Sequence, residues 1–509
     1  MLLAQGLAGA SLLRANTAFQ DEALYLWAGH LQISAWLHGT PIPAFPTFFS
    51  GAPVLYPPLA AVADALGGLT GARLLSLLFM LGATTLLWST VRQLHGRVPA
   101  FFACALFALW GPSLRLGAFA TYDAMSLLLM AAAARCAVQA GRSRGASGWL
   151  VAAAVALAAA NATKYASAIF DPVVLGLAWG VAARTMDWRA ALGRALTLGV
   201  YTAGILGALL VLGGGEYLTG IAATTFARST GSTPSAEIAT QAWQLGGPLL
   251  ALAVLGGLAA WLGGLRGPDR LLILLMVVAG LLVPVAYLHL GSLTSFSKHI
   301  DFGLWFVAIA AGVGLGQLLR PWRTAGPRRL LTAGMALTMC LPAWAGLQAA
   351  HSLFRTWPDS RPVVSTAARV LSRTRGPILA ENPSLFEYYL PQGRQWLRWS
   401  SGCSIRLPSG RSISQPVGNC YRNRNYVSFV DRGYFSAVIL LFGDKGQFDG
   451  PLTRALSRSP RYRRAAQVVY GRQLADIWVR HPQPRQGESL AGLPHTTPLQ
   501  AILIPEARP

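Results

Sequence analysis

The residues able to do chemistry gather at a few points of an otherwise apolar chain. Asp21 and Glu22 are adjacent carboxylates opening the stretch Asp21-Glu22-Ala23-Leu24-Tyr25-Leu26-Trp27. Asp123 follows Phe119-Ala120-Thr121-Tyr122 and opens a long apolar run, with Arg115 shortly before it. Lys164, Lys298 and His299 sit at the edges of other apolar runs. A carboxylate can take the proton of a hydroxyl nucleophile, and cationic side chains can stabilise a departing phosphate. Ionisable groups at membrane depth are expensive, so each of these is a functional candidate.

Helical spacing puts Asp21 and Tyr25 on one face and Glu22 with Leu26 on another. Leu24, Trp27 and Leu31 then turn toward lipid, as in an interfacial helix. Helix capping is the competing role for Asp21 and for Asp123. Asp123 is also a candidate second acid for an acceptor hydroxyl, or a ligand to a divalent cation. Lys164 is placed either to meet a lipid phosphate or to snorkel to the interface. Lys298 and His299, with Ser295 and Ser297, form a donor-rich turn. A single histidine beside scattered carboxylates is a weak zinc signature. Tyr56-Pro57-Pro58 stiffens the first long loop, near Trp36, Phe45, Phe48 and Phe49. Tyr25, Tyr56 and Tyr122 are the candidates to line a substrate cavity. The Asn161-Ala162-Thr163 sequon, at a membrane edge, reads as coincidence.

The elements that must position these groups are membrane spans. The chain has 509 residues, of which 12% are charged and 53% hydrophobic. A soluble domain carries about 25% charge, so a soluble or disordered chain is excluded. Apolar runs near the roughly 20 residues that cross a bilayer fall at 1–18, 71–91, 98–117, 121–140, 148–163, 165–183, 193–212, 246–265, 271–290, 300–319 and 330–350. This predicts a polytopic α-helical membrane protein of about 11 spans, residues 1–350, with a long first outer loop over 19–70. The formal charge is +23, nearly all of it arginine, since the lysines are Lys164, Lys298 and Lys445 alone. Arg92 and Arg97, Arg142 and Arg144, Arg184 and Arg189, Arg266 and Arg270, and Arg320, Arg323, Arg328 and Arg329 fall on one side of the predicted spans. That side is cytoplasmic by the positive-inside rule. The charge therefore reads as topology, and no nucleic-acid-binding motif accompanies it.

Residues 351–509 are long enough for one extracytoplasmic domain. Strand-like runs at 426–430 and 437–442, punctuated by Asp431-Arg432-Gly433, predict a small α/β fold there. The segment holds 22 Lys/Arg against nine Asp/Glu. That balance fits an anionic partner, or simply an arginine-rich coding bias. Cys104, Cys136 and Cys340 fall in spans and read as small apolar groups. Cys403 and Cys420 lie in the outer domain, where an oxidising exterior permits a disulfide; two free thiols are the alternative.

An acidic pair just after the first span, a long outer loop with a Pro-Pro element, an aspartate opening the fourth span and a C-terminal outer domain together resemble the GT-C glycosyltransferases. The nearest likeness is to the ArnT-like and protein O-mannosyltransferase-like branch, over roughly residues 15–320. The resemblance implies that Asp21, in Phe19-Gln20-Asp21-Glu22, is the first-loop catalytic aspartate and that Asp123 is the fourth-span acidic position. It implies that Lys164 and Lys298 fall in regions that contact a lipid phosphate. Tyr56 stands where some members carry a basic residue before the prolines. The implied reaction is inverting transfer of a sugar from a polyprenyl-phosphate donor to a cell-envelope glycan, glycolipid or protein hydroxyl, at the bacterial inner membrane. The alternative reading is a secondary transporter of an anionic or glycan-lipid substrate, which calls for paired repeats and polar breaks near the bilayer midplane.

Overall fold

The computed structural model describes residues 1–143, 145–226, 230–262, 264, 267–318, 328–391, 395–407, 412–414, 425–442 and 446–481. These divide into two compact units, Met1–Ala15 with Phe45–Phe354, and Asn16–Ala44 with Arg355–Pro509.

The first unit is helical. Its elements are α1 (Leu2–Leu12), α3 (Tyr56–His95), α4 (Arg97–Ala108), α5 (Gly111–Gly117), α6 (Tyr122–Arg142), α7 (Ser147–Thr163), α8 (Asp171–Ala182), α9 (Trp188–Gly213), α10 (Gly215–Ile221), α11 (Ser235–Leu262), α12 (Gly267–Leu290), α13 (Phe296–Leu318) and α14 (Arg328–Phe354). In hydrocarbon the backbone must satisfy its own hydrogen bonds, so long apolar runs become helices. Seven described helices are long and apolar enough to cross a membrane, or eight if the bent pair α4–α5 is one span. α1 and α7 are apolar but shorter. Length and composition therefore do not reach the count of eleven among the described residues.

Helix α3 has 40 residues, about 60 Å at 1.5 Å per residue, twice the hydrocarbon thickness. It breaks at Gly67 and Gly68, the latter at φ +60°. Tyr56-Pro57-Pro58 opens this helix rather than lying in a loop, because proline suits the first helical positions. Helix α13 is the enclosed centre, buried without a break from Lys298 to Gly314. It meets α11 where Gly314 faces Gly256; a Cβ on Gly314 would lie 2.0 Å from the Gly256 Cα. Small residues of this kind let membrane helices approach closely.

One end of the unit is tied by arginine. Arg142 Nη1 donates to the Gln93 carbonyl at 3.0 Å, Arg194 Nη2 to the Ser143 carbonyl at 2.9 Å, and Arg184 pairs with Asp269. Of the cysteines assigned to spans, Cys104 is buried, Cys136 half-buried and Cys340 exposed, so Cys340 is no core residue.

The second unit contains α2 (Gln20–His38), α15 (Arg361–Leu371), α16 (Pro383–Tyr389), α17 (Asn425–Asp431) and α18 (Gly446–Arg458). Its five-stranded sheet runs β2-β1-β5-β7-β6. Here β1 is Ile378–Ala380, β2 Trp399–Ser400, β5 Ala437–Leu440, β6 Tyr462–Tyr470 and β7 Gln473–Arg480, and β3 (Ser404–Arg406) pairs separately with β4 (Ser412–Ser414). β1 is parallel to β2 and β5, while β7 is antiparallel to β5 and β6. The run 437–440 is a strand as expected, but 426–430 is helical. Tyr426 and Val430 are its fully buried residues, a spacing of four that seats one helix face on the core. Helix α2 also belongs to this unit: the Ala18 N–H donates to Tyr389 Oη at 2.8 Å and Trp357 Nε1 to the Thr17 carbonyl at 3.1 Å. Trp27 and Leu31 are accordingly buried and do not face lipid.

Candidate active site

In the helical unit, the structure gathers Asp123, Lys164, Lys298 and His299 from three helix ends. Asp123 is fully buried in the first turn of α6. Lys164 caps the C-terminus of α7 in extended backbone, which turns its side chain back toward α6. Its Nζ lies 3.5 Å from Asp123 Oδ1, 3.4 Å from Ser50 Oγ and 4.6 Å from the centre of the Tyr122 ring. Lys164 is only 3% exposed, so it does not snorkel. His299, in the first turn of α13, brings Nε2 to 3.7 Å from the same carboxylate oxygen. Its Nδ1 is hydrogen-bonded to Tyr287 Oη at 2.7 Å, which fixes the ring. Lys298 is also buried and acts electrostatically on Asp123.

A second layer supports this cluster. Arg115, on α5, donates from Nη1 to Ser297 Oγ at 2.5 Å and lies over the Phe119 ring. Ser113 Oγ donates to Asp301 Oδ1 at 2.9 Å, tying α5 to α13. Tyr122 Oη and Ser50 Oγ share a hydrogen bond of 2.5 Å. Tyr56 is buried, its ring edge-on to Tyr122 at 6.4 Å and its hydroxyl 3.5 Å from Ser76 Oγ. Ser50 reaches the site because its loop is stitched to the end of α7. The Ala52 N–H donates to the Ala162 carbonyl at 2.7 Å, and the Tyr165 N–H to the Ser50 carbonyl at 3.0 Å. Gly51 allows that approach, since a Cβ there would lie 2.0 Å from the Thr163 carbonyl oxygen. Asn161 is buried and donates to Asp171 Oδ2 at 2.8 Å, in keeping with the sequon as coincidence.

The other candidates lie in the second unit. Asp21 is half-buried in the first turn of α2, and Tyr25 is buried one turn later. Glu22 accepts the Phe19 N–H at 2.9 Å, so the capping role falls to this carboxylate. Cys403 is disulfide-bonded, while Cys420 lies outside the described residues.

The donor set at Asp123 does not suit a divalent cation: its carboxylate faces two lysines and a histidine. Among the described residues no group of three or more His, Cys, Asp or Glu could hold a metal ion. Ser50, Tyr287 and Ser113 are site residues that the sequence reading missed.

Residues 53–211 match the family model of dolichyl-phosphate-mannose-protein mannosyltransferases. The fold matches a crystal structure of ArnT from Cupriavidus metallidurans, with TM-score 0.58 and 15% identity over 92% of this chain and 96% of that one. The chain has the GT-C glycosyltransferase fold. A structure of the same ArnT bound to undecaprenyl phosphate matches with TM-score 0.57 and 15% identity, over 94% and 97% of the two chains. The archaeal oligosaccharyltransferase AglB from Archaeoglobus fulgidus, in complex with an inhibitory peptide and a dolichol-phosphate, matches with TM-score 0.55 and 12% identity, over 92% and 73%. No curated protein sequence matches the chain. The likeness to the GT-C ArnT-like and protein O-mannosyltransferase-like branch therefore extends to the fold over nearly the whole chain and to the family model over residues 53–211.

Proposed function

We propose that the protein is an inverting glycosyltransferase that moves a sugar from a polyprenyl-phosphate donor to a hydroxyl of a bacterial cell-envelope glycan, glycolipid or protein. The observation that carries this reading is the buried cluster of one carboxylate, Asp123, with Lys164, Lys298 and His299. With both lysines charged the cluster is net positive, which suits an anion such as a phosphate. The ArnT and AglB structures that share this fold hold undecaprenyl phosphate and dolichol-phosphate. An apolar groove of about 210 Å³ between α11, α12 and α13, walled by Trp243, Gly280, Pro284, Ile300 and Leu304, suits a prenyl chain. Ile300, one wall of this groove, lies on the same helix, α13, as Lys298 and His299.

In this mechanism Lys164, Lys298, His299 and Arg115 hold the donor phosphate, and Asp123 keeps the two lysines in register. Asp21, the base that the resemblance implies, takes the proton of the acceptor hydroxyl. The acceptor oxygen bonds to the anomeric carbon from the face opposite the phosphate. The bond from that carbon to the phosphate oxygen breaks, and its electron pair leaves with polyprenyl phosphate. The cationic side chains offset the charge that grows there, so the leaving group needs little protonation. The arginine-rich loops support a cytoplasmic placement of the opposite end of the unit, and with it an extracytoplasmic reaction.

The test is release of polyprenyl phosphate by purified protein in lipid nanodiscs, from a panel of defined prenyl-phosphate sugars. Asp21→Asn is expected to lower turnover by about 10²- to 10⁴-fold with near-normal donor binding, and Lys298→Ala to weaken donor binding. Unchanged turnover in Asp21→Asn rejects it as the base; no release by wild type from any donor rejects the reading.

A further inference from the structure

The second unit carries a cavity of about 480 Å³ between α17 and α18 that the proposed chemistry does not use. Arg454 and Arg458 line it from α18, Asp431 from the end of α17, and Arg461 from the chain beyond α18. Arg454 and Arg458 are four apart, hence on one helix face, where like charges repel. The helix dipole favours Arg458 in the last turn. It gives no reason for Arg461, whose Nη1 is held by the Arg432 carbonyl at 2.8 Å, outside the helix. Arg454 and Arg458 are exposed, and none of the three pairs with a described carboxylate within 4 Å.

Three guanidinium groups and one carboxylate leave the cavity net positive. Guanidinium forks match carboxylate and phosphate oxygens in two-point contacts. The remaining wall includes Val427, Pro451 and Ala455, apolar surface of the kind that takes the C–H face of a sugar ring. Asp431 supplies an acceptor for sugar hydroxyls. An anionic membrane surface fits less well, because the site is concave and carries a carboxylate.

We propose that this cavity binds an anionic saccharide, bearing carboxylate or phosphate groups, as the recognition segment of the acceptor. The assignment to the acceptor rests on the glycosyltransferase reading above; the binding itself does not. Binding is measured on full-length protein in zwitterionic nanodiscs, with tetragalacturonate, its fully methyl-esterified counterpart and phosphatidylglycerol vesicles as probes. Wild type is expected to bind tetragalacturonate with an affinity that falls as salt rises, and the ester at least about tenfold more weakly. Arg454→Ala/Arg458→Ala is expected to weaken tetragalacturonate binding by at least about tenfold, with turnover on a small neutral acceptor unchanged. Tetragalacturonate is also expected to protect both arginines of the wild type from phenylglyoxal, a readout that needs no variant. Equal binding of ester and acid, unchanged affinity in the variant, or a variant that loses only vesicle binding overturns the proposal. Saccharide binding without turnover from any donor leaves the cavity standing and overturns the transferase reading instead.

Discussion

Lys164 is held from three sides, by the Asp123 carboxylate, the Ser50 hydroxyl and the face of Tyr122. Dehydrating such an ammonium costs several kcal/mol, which only close partners offset. That cost is what made Asp123, Lys164, Lys298 and His299 legible in the sequence: an ionisable group at a span end needs a reason. Ser50 and Tyr287 carry neutral hydroxyls, common in loops and at helix ends, and only the folded chain brings residue 50 to residue 164. In the outer unit Glu387 resolves its burial differently. Burial pushes its carboxyl up to about 8, although the Arg406 guanidinium pulls it down. The folded state therefore keeps a proton that the unfolded chain, with the ordinary value of 4.5, gives up. This contribution to stability is complete below the unfolded value and is lost as pH rises through the folded one. Asp449, pushed up to about 7 by burial, acts in the same direction. Thermal unfolding followed by tryptophan fluorescence is expected to give a lower melting temperature at about pH 8.5 than at about pH 6. Glu387→Gln should narrow that gap by raising the value at high pH; a gap as wide as in wild type would exclude Glu387 as its source.

At the scale of elements, the geometry of the candidate site depends on the segment before α3 closing onto the end of α7. The backbone bonds from Ala52 to Ala162 and from Tyr165 to Ser50 make that closure. Nothing in the local pattern of residues 48–55 announces it, because the partners are more than 100 residues away and the closing contact is a glycine. Gly51→Ala tests the dependence. The added methyl meets backbone, which cannot swing aside, so the loop must shift and carry Ser50 away from Lys164 and Tyr122. Overpacking of this kind costs about 1–3 kcal/mol. The expected outcome is a lower melting temperature together with weaker donor binding, whereas Gly6→Ala, with open space at its Cβ, leaves both unchanged. Equal behaviour of the two variants would mean that the loop is not seated on α7. The outer unit shows the same limit of local reading: the five residues from Tyr426 to Val430 suit a strand or a short helix equally, and packing of Tyr426 and Val430 on the core decides it.

For the whole molecule the question is which way the chain faces. Asp123 and Arg142 stand at opposite ends of α6, a helix of 21 residues or about 31 Å, close to the full hydrocarbon thickness. The polar groups of the helical unit thus separate into an arginine-tied end and an end holding the carboxylate–lysine cluster. The positive-inside rule sends the first to the cytoplasm. Cysteine chemistry speaks independently: Cys403 is disulfide-bonded, which calls for an oxidising compartment. Under the proposed function, the arginine placement puts the cluster's end of the helical unit outside, and the disulfide puts the sheet-bearing unit in an oxidising compartment. They are tested together in intact spheroplasts with a membrane-impermeant maleimide. Arg189→Cys, exposed at the start of α9, is expected to react only after lysis, and Arg472→Cys, exposed between β6 and β7, before it. Mass spectrometry without reduction should find one peptide pair joining Cys403 to Cys420, the pairing we propose. Labelling in the reverse order would turn the Asp123 cluster to the cytoplasm and remove the need for a lipid-borne sugar, while free thiols at both positions would leave the orientation resting on arginine alone.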